Sequence, residues 1–360
     1  MGLLRFLLAF SVVLAHSHAF FGFMGMGGAA VTAFFIISGF YMQLILSTKY
    51  QGLGRVWLFY SNRALRLYPI YWTILIVMFG LSFVGSGSWP LAQFAAISKN
   101  PIVLAADGSA AGIAAIIPNL FFIGADALRI FICDLSTNTL ELWYRDISEG
   151  ENLRGAYQSL IIPPIWSLGV EVTFYLVAPM AAMLLTRQLL ILLGTVILLQ
   201  FFIDLRFDNV RWIRLVAPYN LAYFVLGMLA FRGSHWVGRV GGLGRCVFFA
   251  LPFALWVAWD LLLNIGVRPN DFASRWIIWP VFAASLPFVF AVSKSSSWDA
   301  KLAAYSYPVY LCHIIFAWAM TPLGDWAGPA ALILSMALST VLIRLVDEPI
   351  EAWRQRRVLS

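Results

Sequence analysis

The stretch RFLLAFSVVLAH, residues 5–16, places an arginine and a histidine at the two ends of ten residues that are almost all apolar. On an α-helix, with 100° per residue, the two positions differ by about 20° beyond three full turns. Both side chains therefore lie on one face, roughly 16 Å apart along the axis. Ionisable groups inside a membrane helix are costly and usually functional. The stretch predicts a membrane helix with Arg5 near one surface and His16 past the midplane.

The rest of the chain has the composition of a membrane protein. Of its 360 residues 61% are hydrophobic and 11% are charged, and the mean hydropathy is +0.84. Soluble domains carry about 25% charged residues. We expect an all-α, polytopic membrane protein with a single domain over residues 1–360. A secretory signal peptide is the alternative for the first residues, but the apolar run continues through FFGF (20–23) and a second one follows.

Apolar runs close to the 20 residues needed to cross a bilayer recur along the chain. Ten spans are predicted: 3–23, 28–47, 68–86, 166–186, 188–204, 215–232, 246–265, 276–293, 305–321 and 328–346. With an even number of spans, both termini lie on the same side. Most of the 24 basic residues and few of the 17 acidic ones fall on that side, so the positive-inside rule predicts cytoplasmic termini. We expect a multi-pass protein of the inner (cytoplasmic) membrane.

Residues 87–164 then form an extracytoplasmic loop that is rich in acidic residues. Its apolar part, 110–133, is predicted as a re-entrant or interfacial helix, with an eleventh span as the alternative. The three cysteines are widely spaced and favour small buried side chains over disulfides or a metal site. No phosphate loop, zinc motif or RNA-binding motif is present, so neither a metal nor a nucleic-acid partner is expected.

Seven motifs stand in one order along the chain. They are RFLLAFSVVLAH (5–16), AAVTAFFIISGFYM (29–42), FYSNRALRLYPIYW (59–72), IWSLGVEVTFYLVAP (165–179), YNLAYFVLGM (219–228), YSYPVYLCH (305–313) and DEPIEAW (347–353). Together they resemble the acyltransferase-3 family, membrane enzymes that acylate hydroxyl groups, mostly on carbohydrates. The first motif is similar to the R-x₁₀-H pattern of that family, and the third, before the third span, to its R-x-x-R pair. The resemblance extends over essentially the whole chain.

The resemblance implies a reaction and its substrates. The donor is acyl-CoA, with acetyl-CoA as the default, and no cofactor is bound permanently. The acceptor is a hydroxyl of an extracytoplasmic or lipid-linked glycan, and membrane lipids are the remaining partners. His16 is the expected general base because its ordinary pKa suits proton transfer. Arg5 and Glu171 are the other expected catalytic residues. Arg63 and Arg66 suit the phosphates of the donor, although basic residues beside a span also follow from topology alone.

Further site residues are predicted with less definite roles. Glu171 orients His16, holds a sugar hydroxyl, or simply places a favourable charge near a helix N-terminus. The Ser38 hydroxyl and the backbone of the second span are candidates for stabilising an oxyanion. The expected substrate contacts are Ser38, Trp166, Ser167, Tyr307 and His313. Three more aromatic residues near the outer surface suit sugar stacking: Trp212, Tyr219 and Trp276.

Two other functions are compatible with the same residues. A transporter or flippase of a glycolipid or acyl substrate would also use many spans and buried polar groups. An acyltransferase could instead modify a small molecule such as a macrolide. The sequence leaves the acceptor, the acyl length and the oligomeric state open. We expect direct transfer, because no serine or cysteine stands beside a base in the sequence.

Overall fold

The computed structural model of the protein describes residues 1–17, 27–51, 53–81, 108–143, 153–206, 211–266 and 271–359. Most of these residues are helical. In chain order the helices are α1 Gly2–His16, α2 Gly27–Thr48, α3 Val56–Leu81, α4 Ala110–Ala114, α5 Ile116–Phe121, α6 Ile165–Met183, α7 Thr186–Arg206, α8 Ala217–Arg232, α9 Gly242–Val257, α10 Trp259–Asn264, α11 Phe272–Ser293, α12 Ser297–Ala319, α13 Ala327–Leu342 and α14 Glu348–Leu359. A π-helical turn, Ile343–Asp347, joins α13 to α14.

The predicted fold class, an all-α polytopic membrane protein, is confirmed. Within the described residues, seven helical segments are long and apolar enough to cross a membrane: Gly27–Thr48, Ile165–Met183, Thr186–Arg206, Ile213–Gly238, Phe272–Ser293, Ser297–Ala319 and Thr321–Val358. Each overlaps one of the predicted spans. The total of ten spans and the cytoplasmic position of both termini stay predictions.

The three remaining predicted spans fall on helices with other properties. Helix α1 has 15 residues, and residues 18–26 lie outside the described part of the chain. Helix α9 has 16 residues and is followed directly by the short α10. Helix α3 begins at Val56 rather than at residue 68, so the predicted boundary is wrong. Residues 56–68 include no glycine or proline that would break a helix. Arg63 and Arg66 therefore lie inside the helix.

The part of the chain between α3 and α6 contains a small sheet that the sequence did not predict. Strands β1 Phe131–Asp134, β2 Thr139–Leu142 and β3 Leu153–Gly155 pair antiparallel in the order β2-β1-β3. Strands of three or four residues are too short to give a recognisable alternation. Before them, α4 and α5 have only 5 and 6 residues, so this segment does not form the alternative eleventh span.

Helices α2 and α8 cross with their backbones in contact. A Cβ atom added to Gly39 of α2 would lie 2.0 Å from the carbonyl oxygen of Phe224. A Cβ atom added to Gly227 of α8 would lie 1.9 Å from the carbonyl oxygen of Ile36. Without a hydrophobic effect between helices in lipid, such close packing of small residues is a main source of association. The crossing fixes the face of α2 that carries Ser38.

The start of α1 is held by α12. The carboxylate of Asp299 accepts hydrogen bonds from the backbone N–H groups of Gly2 (2.6 Å) and Leu3 (2.9 Å). Free N–H groups at a helix start favour an acceptor with negative charge. Gly2 allows this approach, because a Cβ atom there would lie 1.7 Å from the carbonyl oxygen of Asp299. Helix α1, and with it Arg5 and His16, is therefore positioned against α12.

Away from the contact between α1 and α12, a network around a buried ion pair connects three helices. Arg275 at the start of α11 bonds to Asp204 near the end of α7, and the two side chains are 4% and 13% exposed. Tyr219 of α8 donates to Asp204 at 2.8 Å and accepts from Arg275. Arg214 adds a second cation, with its Nε 3.0 Å from Asp204. The network joins α7, α8 and α11.

Replacing Arg275 by methionine should destabilise the protein strongly. Removal of one partner leaves the Asp204 carboxylate without its most buried counter-ion, at a cost of roughly 3–5 kcal/mol. Thermal unfolding in detergent measures the effect. Arg206→Met is the control, since Arg206 is exposed at the end of the same helix, α7. Equal melting temperatures for the two variants would show that the ion pair contributes little.

Candidate active site

A cavity of about 670 Å³ lies between α1, α2, α3, α6, α11 and α12. Among the described residues that line it are six basic ones, Arg5, Lys49, Arg63, Arg66, Lys294 and Arg354. Four acidic residues also line it: Glu171, Asp299, Asp347 and Glu351. Most of these charges lie at the start of α1 and α12, in the first half of α3, and at the end of α2 and α11. Since neighbouring spans alternate in direction, these helix ends meet at one basic end of the cavity.

Three arginines at the basic end have free donor groups. Within the described ranges, the guanidinium groups of Arg5, Arg63 and Arg66 make no hydrogen bond and no ion pair, although Arg63 stands over the ring of Phe59. Arg5 lies in the electrostatic range of Arg66 and of Glu171. The structure thus brings together the three arginines that the sequence singled out. Donor groups that face a cavity without a partner suit an anionic ligand.

Glu171 lies in the wall of the cavity and is held by two hydroxyl groups. Ser38 Oγ donates to Glu171 Oε1 at 3.0 Å, and the Tyr175 hydroxyl donates to the same oxygen. Within the described residues Glu171 does not bond to His16, so the predicted orientation of His16 by Glu171 is not observed. The proton of Ser38 is committed to the carboxylate, which leaves Ser38 unsuited as an oxyanion donor in this arrangement.

The other end of the cavity is closed by α6 and α12. Ser167 Oγ and the Tyr310 hydroxyl form a mutual hydrogen bond of 2.6 Å, and both also contact the carbonyl oxygen of Pro164. Tyr307, one turn earlier, donates to the carbonyl oxygen of Leu67 at 2.6 Å and so ties α12 to α3. Ser167 and Tyr307 are predicted site residues, and both line the cavity.

His16 and His313 form a pair beyond Tyr310. Their ring centroids are 5.0 Å apart with a tilt of 58°, and the ring of Tyr310 lies 5.7 Å from that of His313. His16 is exposed at the end of α1, whereas His313 is fully buried in α12. The sequence predicted both residues for the site, but not their contact. Neither lines the cavity itself, so the pair lies behind its closed end.

The backbone sets the tautomer of both neutral rings. His16 Nδ1 lies 2.9 Å from the carbonyl oxygen of Val12, and His313 Nδ1 lies 2.6 Å from that of Tyr310. A carbonyl oxygen only accepts hydrogen bonds, so each Nδ1 carries the proton and each Nε2 carries the lone pair. His16 is therefore a base at Nε2.

Arg129 is a site residue that the motifs did not indicate. Its guanidinium stands over the rings of Tyr157 (4.9 Å) and Trp166 (5.2 Å), and its charge acts on His16 and Tyr310. Burial lowers the pKa of Arg129 to about 10, so the side chain is still charged at neutral pH. The signal available in the sequence was a single cation between apolar residues, LRIFIC (128–133).

The aromatic residues predicted for sugar stacking have other partners. The face of Trp166 is covered by Arg129, and Trp276 stacks on Tyr223 with centroids 5.9 Å apart. Tyr219 is buried in the ion-pair network of Arg275. The side chain of Trp212 lies outside the described part of the structure. Of the cysteines, Cys133 and Cys312 are buried as expected, while Cys246 is exposed.

The C-terminal helix contributes charges that the sequence did not assign to the site. Asp347 and Glu351 line the cavity, and Glu351 pairs with Arg354. Arg357 donates to Asn62 (3.1 Å) and Ser61 (2.9 Å) and so ties α14 to α3. The π-helical turn before α14 lies beside these groups, a placement often seen at functional sites. The motif DEPIEAW (347–353) contains Asp347 and Glu351, but the sequence did not predict that they line the cavity.

A bundle of apolar helices surrounds a polar cavity, and a histidine pair lies behind its closed end. Residues 1–346 match the Acyl_transf_3 family model, described as an acyltransferase domain. The chain belongs to this acyltransferase-3 family and is a membrane acyltransferase. The comparisons found no similar curated protein and no similar solved structure.

Proposed function

We propose that the protein transfers an acyl group, by default acetyl, from cytoplasmic acyl-CoA to a hydroxyl group of an extracytoplasmic or lipid-linked glycan. The observation that carries this proposal is the layout of the cavity. One end presents three guanidinium groups without hydrogen-bond partners among the described residues, and the other end stops at Tyr310, whose ring lies 5.7 Å from that of His313. A long donor with an anionic head and a reactive tip fits such a layout.

The donor would bind with its phosphates at Arg5, Arg63 and Arg66. Guanidinium groups bind phosphate oxygens with two parallel hydrogen bonds and do not lose their charge. The uncharged arm of the donor would follow the cavity between α2 and α12, where Phe34 and Ile70 offer apolar contacts. Its thioester would then stand near Ser167 and Tyr310, close to the histidine pair.

His16 would act as the general base. Its Nε2 takes the proton of the acceptor hydroxyl while the hydroxyl oxygen bonds to the thioester carbonyl carbon. The carbon–sulfur bond then breaks, and the coenzyme A thiolate takes the proton from His16, so no covalent enzyme intermediate is needed. Arg129, in the part of the chain between α3 and α6, suits the stabilisation of developing negative charge on this path.

Acyl transfer by the source cells tests the proposal. The gene is deleted and then restored, and surface glycans and secreted small molecules are analysed by mass spectrometry after labelling with ¹³C-acetate. An O-acyl group on a glycan that disappears on deletion and returns with the gene supports the proposal. A label that moves to a macrolide-like product would identify a small-molecule acceptor. Unchanged acylation with altered glycolipid distribution would favour a transporter or flippase.

Replacing Arg66 with glutamine should raise the KM for acetyl-CoA by about 10- to 100-fold, because each hydrogen bond between charged groups is worth about 1.5–3 kcal/mol. Initial rates in membrane vesicles measure it. With S-acetylpantetheine, which lacks the phosphates, the variant and the wild type should give equal rates. Arg187→Gln is the control, since Arg187 is exposed and does not line the cavity. An equal KM for both variants would contradict the assignment of Arg66.

A further inference from the structure

The Nε2 atom of His313 is a buried hydrogen-bond acceptor that has no role in the proposed reaction as described above. His313 is 0% exposed, and its Nε2 has no hydrogen-bond partner within the described part of the chain. A buried polar atom without a partner costs about 1–3 kcal/mol and calls for an explanation. The ordinary explanation, a packing role met by one hydrogen bond, accounts for Nδ1 but not for Nε2.

The ring of His313 contacts the Tyr310 carbonyl oxygen and the ring of His16. Nδ1 of the ring is turned to the carbonyl oxygen of Tyr310 on its own helix, so Nε2 lies across the ring and away from that carbonyl. His16 packs against the same ring with centroids 5.0 Å apart, and the two rings interact electrostatically. The ring that carries this unpartnered lone pair therefore packs against the predicted base.

Two charged side chains, Arg129 and Glu171, act with opposite sign on the residues around His313. The Arg129 cation opposes a positive charge on His16, while Glu171 acts on Tyr310 from the cavity side. A base that must hold a proton during the reaction benefits from a neutral acceptor next to it, because a lone pair stabilises a neighbouring positive charge. No carboxylate performs this task for His16 among the described residues, since Glu171 is bound by Ser38 and Tyr175.

We propose that His313 is a positioning residue for the transfer reaction, whose Nε2 lone pair stabilises the imidazolium of His16 while His16 holds the proton of the acceptor. The inference rests on the proposed function, which makes His16 the base. It adds a residue that acts through His16 and does not touch the substrates. The hydrogen bond from Nδ1 to the Tyr310 carbonyl keeps the ring in the tautomer that this role requires.

Two amide variants separate this role from packing. In His313→Asn the amide N–H takes the place of Nδ1 and keeps the bond to Tyr310, but the acceptor at the Nε2 position is lost. In His313→Gln the longer amide presents an acceptor near the Nε2 position and loses the bond to Tyr310. We expect kcat to fall roughly 10- to 100-fold in His313→Asn, with an unchanged KM for acetyl-CoA, and to recover substantially in His313→Gln.

The opposite order, with His313→Asn active and His313→Gln inactive, would overturn the inference in favour of a packing role. Equal activity of both variants and the wild type would also overturn it. Thermal unfolding of both variants in detergent shows whether either one has lost its fold. If His313→Asn does not fold, the activity of His313→Gln decides alone: substantial activity supports the inference, and its loss in a folded protein overturns it.

A second readout does not depend on acyl transfer. The lone pair of a neutral histidine attacks diethyl pyrocarbonate, and the ring carries a positive charge until it loses its Nδ1 proton. His16 is exposed at the end of α1. We expect mass spectrometry to show slower modification of His16 in His313→Asn than in His313→Gln and the wild type. If this order holds while the wild type transfers no acyl group, the proposed function fails and the coupling of the two rings stands. Equal rates in all three proteins would overturn the coupling.

Discussion

Replacing His16 with alanine should reduce acyl transfer by about 100- to 10,000-fold, the usual contribution of a general base. The variant loses the lone pair that His16 places at the end of α1 beside His313, and the acceptor hydroxyl then has no base to take its proton. The rate is measured as labelled acetyl groups transferred by membrane vesicles at saturating donor. The KM for acetyl-CoA should stay within a few-fold, since the phosphates would bind at Arg63 and Arg66 instead.

His235→Ala is the matched control. His235 is an exposed histidine in the turn Gly233–Gly238, and its Nδ1 lies 3.0 Å from the carbonyl oxygen of Arg232, a contact of the same kind as that of His16. It does not line the cavity. Both variants should reach the membrane in equal amounts by immunoblot. Full activity of His16→Ala would exclude His16 as the base.

The substitution Gly227→Leu should prevent α2 and α8 from packing together, so that the protein does not fold. Even the Cβ atom of the new residue would lie 1.9 Å from the Ile36 carbonyl oxygen and 2.8 Å from the Phe40 amide nitrogen. Backbone atoms cannot move aside as a flexible side chain can, so α2 and α8 must separate. Overpacking in a dense core costs about 1–3 kcal/mol for small insertions, and more where backbones collide. Size-exclusion chromatography in detergent should show aggregated protein and little folded monomer.

Smaller substitutions where α2 crosses α8 should have smaller effects on stability. Gly227→Ala should lower the melting temperature, and Gly39→Ala should do so as well, because each side chain meets the backbone of the opposite helix. The two sites share one contact, so the effect of the double variant should be smaller than the sum. Gly194→Ala on α7 is the control, since nothing lies within 4 Å of its Cβ position. Melting temperatures equal to that of the control would mean that the helices adjust easily.

Much of the architecture could be predicted from the sequence because membrane spans are long and strongly apolar. The seven confirmed segments are of this kind. The start of α3 was misplaced because Asn62, Arg63 and Arg66 lower the hydropathy without breaking the helix. The sheet at Phe131–Gly155 was missed because its strands are too short to show alternation.

For the candidate site, the sequence indicated the residues better than their contacts. Arg5, Arg63 and Arg66 were singled out from motifs, but they lie on two helices, α1 and α3, and their common cavity is formed by six helices. The contact of His16 with His313 joins positions almost 300 residues apart and leaves no periodic pattern. The orientation of His16 was one of three roles predicted for Glu171, whereas Ser38 and Tyr175 hold it. Such pairings arise from tertiary packing and cannot be derived from local spacing.

The hydrogen bond between His16 and the Val12 carbonyl has a consequence for mutational robustness. Many catalytic bases depend on a carboxylate elsewhere in the chain for their orientation, so a single codon change at that distant position can disable them. Here the orienting group is a peptide carbonyl one helical turn away, which every amino acid at position 12 provides. A random mutagenesis screen should therefore recover no orienting carboxylate for His16. Instead, it should recover prolines that break α1 in its last turn.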